Sequence, residues 1–351
     1  MILYDFGYII KEKGVKKMIK YLLPNVGKFY KANLHMHTKI SDGNMTLEQT
    51  KKAYMEKGYS IVAFTDHEVM VPHPELSDEN FLAITSTEIS LTEVRPAFDY
   101  ARCYHLNLYS KEELKDWFST FSIENVWLEW SKAYVTEKQL EYHCDKFYSV
   151  ENVNYIIQKA KEDGCLVSYN HPVWSIQSYD DYIGLKGLWG VEWHNTGCVI
   201  TGHKDSFQPI EDLARLGERV FPLATDDAHD ISHCFGGWVM VKAPNLEYDT
   251  IYNALEKGEF YSSNGPEILQ LYIEDGILHV KTSSVKSIHL ITERRTTMFV
   301  SGDNVSEATF DINFYLNEAK NNHNKHQYIR LTVTDKEGNV AHTRPYYVDE
   351  L

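Results

Sequence analysis

Short apolar runs alternate with amphipathic stretches along the first three quarters of the chain. "YKANLHMH" at 30–37 predicts a strand that ends in two histidines. "MTLEQTKKAYMEKG" at 45–58 predicts a helix: Thr46 can cap it, Gln49 completes a capping box, and Gly58 suits the turn beyond its last residue. The compact apolar run "SIVAFTDH" at 60–67 is the next strand, followed by "FLAITSTEIS" and "RCYHLNLYS". Helical spacing in "VENVNYIIQKAKEDG" leads into "CLVSYNHP" and then "GLWGVEWHN". "QPIEDLARLG", with Pro209 in its first turn, precedes "RVFPLATDDAH"; "GGWVMVKAP" and the helical "YDTIYNALEKGEF" follow. Strand, helix, strand in this order predicts an α/β fold with parallel strands and crossover helices.

Two regions break the rhythm. Residues 111–150 are rich in Trp, Tyr and Phe without a clear period and read as an insertion between strands. After "SSNGP" at 262–266 come short alternating runs such as "ILQLYIEDGILHVKTS", "ATFDINFYL" and "QYIRLTVTDKEGNVAHTRPYYV", separated by "EDG" and "KEGN" turns. That pattern predicts an antiparallel, sandwich-like β module over 266–351, with a domain boundary near 265.

Composition narrows the function classes. The chain has 351 residues, with 35 Lys and Arg against 50 Asp and Glu, a net charge of −15. Such an acidic balance argues against long nucleic acid or an anionic membrane as the main partner, since both need clustered cations. No window approaches the roughly 18 apolar residues of a membrane span. The N-terminus, interrupted by lysines, lacks the apolar core of a secretory signal. Five scattered cysteines with no CxxC pair are expected to be reduced, so the chain reads as cytoplasmic.

Candidate chemistry gathers at the predicted strand ends. His35 and His37 close the first strand, with Asp42 in the loop beyond; His67 follows the second, Glu88 closes "AITSTE", and His105 lies in "CYHLNLY". His171 ends "SYNHP", and Asp227 and His229 end "ATDDAH". One histidine at a strand end is usually a hydrogen-bonded side chain; nine imidazoles and carboxylates from six segments are a different signal. His-x-His on a strand aims both rings at one side, and Asp227-x-His229 repeats the spacing. By the same periodicity Asp66 points away from His67 and orients backbone, and Asp226 is a supporting residue.

In this order, "HMHTKISDG", "FTDH", Glu88, "YHLNLY", "NHP" and "TDDAH" resemble the motifs of the polymerase-and-histidinol-phosphatase (PHP) family of metal-dependent hydrolases, from about residue 30 to 265. "FYSSNGP" is similar to the end of that domain in a subgroup that includes carbamate-ester hydrolases and often carries C-terminal material. The resemblance implies a distorted (β/α)7 barrel over 1–265, with two or three divalent transition-metal ions at the C-terminal face of its strands. It implies one ion on His35, His37, Glu88 and Asp227, a second on Glu88, His105 and His171, and a third on Asp42, His67 and His229. Many relatives have His where this chain has Asp42, but a carboxylate also suits Zn, Mn or Fe.

The expected activity is hydrolysis by a metal-activated water of a small phosphorylated, anionic substrate. A carboxylic or carbamate ester hydrolase with the same ions, or a noncatalytic metal-binding module, are the alternatives. His229 or His67 could protonate the leaving group if the third site were empty. His194 could line the pocket, or pack. Arg95 and Arg102, between two of the motifs, could clamp a phosphate, or be solvated charges, as could Lys39. The aromatic insertion, with Trp117, Phe118, Trp127, Trp130 and Tyr134, could cover the cleft, pack in the core or join two copies; the oligomeric state stays open.

Overall fold

The computed structural model describes residues 11–12, 15–16, 19–95, 97, 100–322 and 326–351. Most of the N-terminal stretch read for a secretory signal therefore lies outside the described residues. Among the described residues, no helix is long and apolar enough to cross a membrane.

After three short strand pieces, Lys11–Glu12, Val15–Lys16 and Ile19–Tyr21, the first strand of the α/β part, β1 (Lys28–Asn33), stops just before the two histidines. Helix α1 (Leu47–Glu56) starts at Thr46 with the expected capping box to Gln49. Gly58 follows it with φ 78°, the left-handed conformation that costs a residue without Cβ least. Strand β2 (Tyr59–Phe64) is buried at nearly every position, as a central strand requires. Strands β3 (Leu82–Thr92) and β4 (Cys103–Ser110) come next, then helix α2 (Val150–Glu162) and strand β5 (Cys165–Tyr169). Helix α2 buries Val153, Ile156, Ile157 and Ala160, one face at helical spacing. Strand β6 (Gly190–Asn195), helix α3 (Gln208–Arg215), strand β7 (Phe221–Thr225), strand β8 (Trp238–Ala243), helix α4 (Tyr248–Lys257) and strand β9 (Phe260–Ser263) complete this part.

These strands lie in the order β7-β6-β5-β4-β3-β2-β1-β8-β9. The pairs β1–β2, β2–β3, β5–β6 and β6–β7 are parallel, as the alternating pattern predicts. The expected barrel, however, does not close: β7 comes near β8 and β9 but pairs only with β6. Two departures from strict alternation accompany this. Strand β4 is antiparallel to both neighbours, because residues 93–102 are too short to carry a crossover helix. Strand β8 is antiparallel to β1 and β9. The result is a mixed α/β fold with one large sheet and few helices.

Beyond residue 266 every pairing is antiparallel. Strands β10 (Ile268–Glu274), β11 (Ile277–Thr292), β12 (Thr297–Asp311), β13 (Tyr328–Thr334) and β14 (Val340–His342) pack an apolar core of their own, with Leu22 and Leu23 added. They are not a separate sheet, since β14 pairs with β9 at Ser262 and Ser263. "ATFDINFYL" also divides: its second half opens helix α5 (Asn313–Asn322) instead of continuing a strand.

Residues 111–150 form loops and short 3-10 turns around Phe118 and Phe121, both in the core. Their far end is fixed by a buried ion pair between Lys146 and Glu68, whose side chains are 2% and 1% exposed. The Ser90 backbone N–H also donates to Glu68, at 2.9 Å. Lys146→Met removes the cation and leaves that carboxylate unpaired in the interior. We expect a loss of about 3–5 kcal/mol in unfolding free energy, read from urea denaturation.

Candidate metal centre

The bridge between Met36 and Ala228 brings the end of β1 beside the segment after β7. Its hydrogen bonds, Asp227 N–H to His35 carbonyl at 2.9 Å and His37 N–H to Ala228 carbonyl at 3.1 Å, lock the two motifs together. Met36 packs into the core, so His35 and His37 turn to the same side. Glu88, 1% exposed, meets them from β3, and the bridge between His67 and Glu88 adds the end of β2. His105 is only the third residue of β4. That strand runs in reverse, so its beginning, not its end, reaches the centre.

Glu88 is the hub. Its Oε1 lies 3.3, 3.2 and 3.4 Å from His35 Nε2, His105 Nδ1 and His171 Nε2. Its Oε2 lies 3.3 and 3.4 Å from His37 Nε2 and His67 Nδ1. Asp227 Oδ1 is 3.3 and 3.1 Å from the Nε2 atoms of His35 and His37. Asp42 Oδ2 is 3.7 and 3.4 Å from the Nε2 atoms of His67 and His229. Three groups result: His35, His37, Glu88 and Asp227; Glu88, His105 and His171; and His37, Asp42, His67 and His229. Within each group the nearest ligand atoms lie within 4.8 Å of one another, so each could hold a metal ion.

Backbone strain marks the same place. Asp227 and His171 adopt φ of 49° and 28°, and Glu68, one residue after His67, has φ 59°. Non-glycine residues are held there only when their surroundings demand it.

The electrostatics are those of a cation site filled by protons. Burial alone would push the imidazoles of His35 and His105 down, but nearby carboxylates raise both well above the ordinary value. The His37 pKa is likewise pushed up to about 10 against burial, by Asp227 and Glu88. Glu88 and Asp227 are held well below the usual carboxylate range, burial being outweighed by the histidines around them. His67 goes the other way, lowered to about 3 by burial and then by the charge on His37. The donor set suits divalent transition metals. Asp227 Oδ1 is buried and makes no hydrogen bond, a carboxylate oxygen available to a cation.

All nine side chains expected from the motifs are therefore brought together. Three others are not. Arg95 pairs with Glu93 at 2.8 Å, and Arg102 binds Glu93 at 3.0 Å and Asp181 at 2.8 Å. Neither arginine lines the cavity beside the centre, so of the two readings the phosphate clamp is not formed: Glu93 and Asp181 hold them instead. His194 is turned to Asp205 and Thr196, at 2.8 and 3.2 Å. A register shift between Leu223 and Ala224 leaves Trp193 as an extra residue, which takes His194 off the face of Glu192.

Several carboxylates support the centre from behind. Asp66 accepts from Thr38 and Ser41 and so shapes the loop that carries Asp42. Asp226 accepts from Tyr54, Thr196 and the backbone of 235–237. Glu192 escapes sequence reasoning: it accepts from His35 Nδ1 at 2.7 Å, the His171 backbone at 3.1 Å, Asn195 at 2.9 Å and Thr225 at 2.7 Å. It fixes the His35 tautomer with Nε2 facing the centre. The only sequence signal is a carboxylate inside an apolar strand. Glu192→Gln should weaken metal binding by about 10–100-fold, measured by competition with a chromogenic chelator.

A cavity of about 660 Å³ opens beside the groups, walled by Trp127 and Trp174 and reached by His229 and His233. It and the three groups define a candidate metal-dependent active site. Residues 33–149 match the family model described as PHP domain. Together with the candidate metal groups, this supports a metal-dependent hydrolase. No curated protein matches the chain. Among solved structures, it is similar to a two-domain protein from Bacteroides vulgatus containing a predicted PHP-like metal-dependent phosphoesterase. That likeness has a TM-score of 0.43 and 14% identity, covering 93% of this chain and 98% of the other. An amidohydrolase from Chromobacterium violaceum with bound sulfate and no metal is also similar: TM-score 0.37, 13% identity, 65% of this chain and 96% of the other.

Proposed function

We propose that the protein hydrolyses a small phosphoric ester with two or three divalent ions of Zn, Mn or Fe. The observation that carries this reading is Glu88, one buried carboxylate within 3.4 Å of five imidazoles, at the edge of a cavity of substrate size. His35, His37, Glu88 and Asp227 would hold one ion, Glu88, His105 and His171 a second, and Asp42, His67 and His229 a third. With ions bound, these residues would present a water of lowered pKa and a positive field for charge developing on the substrate.

The chain's own groups do the remaining work. Glu192 and Asn170, which donates to Glu88 Oε1 at 2.8 Å, keep the imidazole and carboxylate oriented. Asn195 donates to Asp227 Oδ2 at 3.1 Å and does the same there. Where the third group is unfilled, His229 protonates the leaving group, since it reaches the cavity with 31% side-chain exposure. His67 is less exposed, at 10%, and its Nδ1 is turned to Glu88 Oε2 at 3.4 Å, so it is the poorer candidate for that role. The same reading ends the hydrolase part near residue 265 and gives 266–351 to a β module. Five free cysteines support a reducing, cytoplasmic setting.

One observation favours a second reading, a carboxylic or carbamate ester hydrolase: no lysine or arginine lines the cavity among the described residues. Turnover of p-nitrophenyl phosphate and p-nitrophenyl acetate, with Mn or Zn added, separates the two. Phosphate release is the expected result. Acetate turnover alone transfers the assignment to the second reading, and no turnover by metal-loaded protein leaves a noncatalytic metal-binding module.

A further inference from the structure

The insertion is clamped onto the loop that carries Asp42. Trp130 Nε1 donates to the Ser41 carbonyl at 2.8 Å, and Ser131 Oγ donates to the Ile40 carbonyl at 2.6 Å. Its far end is pinned by the buried pair of Lys146 with Glu68. Three residues before the first anchor, Trp127 stands 61% exposed, its ring 6.1 Å from that of His67. At the mouth of the cavity beside a candidate metal group, its ring is open to whatever enters. Trp174 faces the same cavity from another segment, with its ring 5.7 Å from His105 and 5.1 Å from His171. Trp127, His67, His105 and Trp174 thus form a run of neighbouring rings with an indole at each end.

Charge narrows the choice of occupant. The acidic side chains lining the cavity are Asp42, Glu88 and Asp227, and among the described residues no lysine or arginine lines it. Arg95 and Arg102, the nearest cations in sequence to Glu88 and His105, are spent on Glu93 and Asp181. A reacting anionic group would be met by bound cations. A second anionic group on the same molecule, beyond reach of those ions, would have no cation of the protein to pair with.

From this we infer the substrate class: an ester whose remainder is planar, apolar and uncharged, seated against Trp127 and Trp174, with Trp127 the specificity-determining residue. The inference rests on the metal-dependent hydrolase reading for the position of the reacting group. Flat apolar faces gain from stacking on an indole beyond the area they bury.

The test pairs 2-phenylethylphosphonate, a non-hydrolysable mimic, with methylphosphonate, each titrated into Mn-supplemented protein by calorimetry. The phenyl compound should bind about tenfold tighter. Trp127→Ala should reduce that ratio to about two or less, and Trp127→Phe, which keeps a flat ring, should retain most of it. Because the ratio is internal, a general loss of active protein does not change it. In turnover, 2-phenylethyl phosphate should exceed 3-phosphoglycerate, which carries a second anion, in kcat/KM. An equal affinity for the two phosphonates, or a preference that survives Trp127→Ala, overturns the inference. A preference in binding, with no ester of any kind turned over, sustains it and counts against the hydrolase reading alone.

Discussion

Glu88→Gln is expected to lower turnover by about 10³-fold or more, and to lower the number of bound ions per chain. The reasons are geometric. Both oxygens of this side chain are shared: Oε1 faces His35, His105 and His171, and Oε2 faces His37 and His67. Glutamine keeps the volume and one carbonyl oxygen, but it replaces the other oxygen by an amide that donates and cannot ligate. The negative charge that offsets the surrounding cations disappears as well. Loss of one preorganised electrostatic group in an active site commonly costs 10²–10³-fold, and a group serving two ions at once belongs at or beyond the upper end. Elemental analysis and phosphate release on the same preparation check both halves. Full metal content in the variant would remove Glu88 from its central place.

Metal loading is expected to strengthen as pH rises from 6 to 9, and the metal-free protein is expected to lose stability over the same range. In the metal-free centre His37 has its pKa raised from 6.5 to about 10, with His35 and His105 also raised. A group whose folded pKa is raised stabilises the fold fully below its unfolded value, near 6.5. That contribution is lost as pH climbs through the folded value, here between about 6.5 and 10 for His37. An imidazole must shed its proton to ligate, so the proton and the ion compete, and each unit of pH favours the ion. The rise in Tm on adding Mn should therefore be larger at pH 9 than at pH 6. His67 acts in the opposite sense: with its pKa lowered to about 3, it withdraws stability as pH falls from 6.5 towards 3. Melting curves with and without Mn across this range test the pair. A Tm gain that shrinks as pH rises would contradict the proton-for-metal exchange.

Much of the centre was legible because its residues sit where strands end. His35-x-His37 and Asp227-x-His229 follow runs so apolar that a polar cluster after them has to be accounted for, and periodicity alone puts each pair on one side. Helix α1 was equally readable, since Thr46, Gln49 and Gly58 punctuate it locally. What stayed hidden depends on partners far apart in sequence. Glu192 looks like a stray carboxylate until His35, 157 positions away, is placed beside it. Arg95 and Arg102 looked free because the sequence does not say that Glu93 folds back onto both. His194, read as lining the pocket or packing, sits just past a bulge at Trp193 that the sequence does not mark. The antiparallel course of β4 was invisible for a related reason: an apolar run has no direction, and only the short link before it shows that the chain must reverse. The open edge at β7 belongs to the same class, because closing a sheet depends on registers that no single strand encodes.

The most direct measurement is the metal content of protein purified without chelator and then exposed to Zn, Mn and Fe in turn. Two or three ions per chain, falling when Asp227→Asn is introduced, is the predicted result. A chain that retains no ion from any of the three, although folded, would contradict a centre built from His35, His37, Glu88, His105, His171 and Asp227.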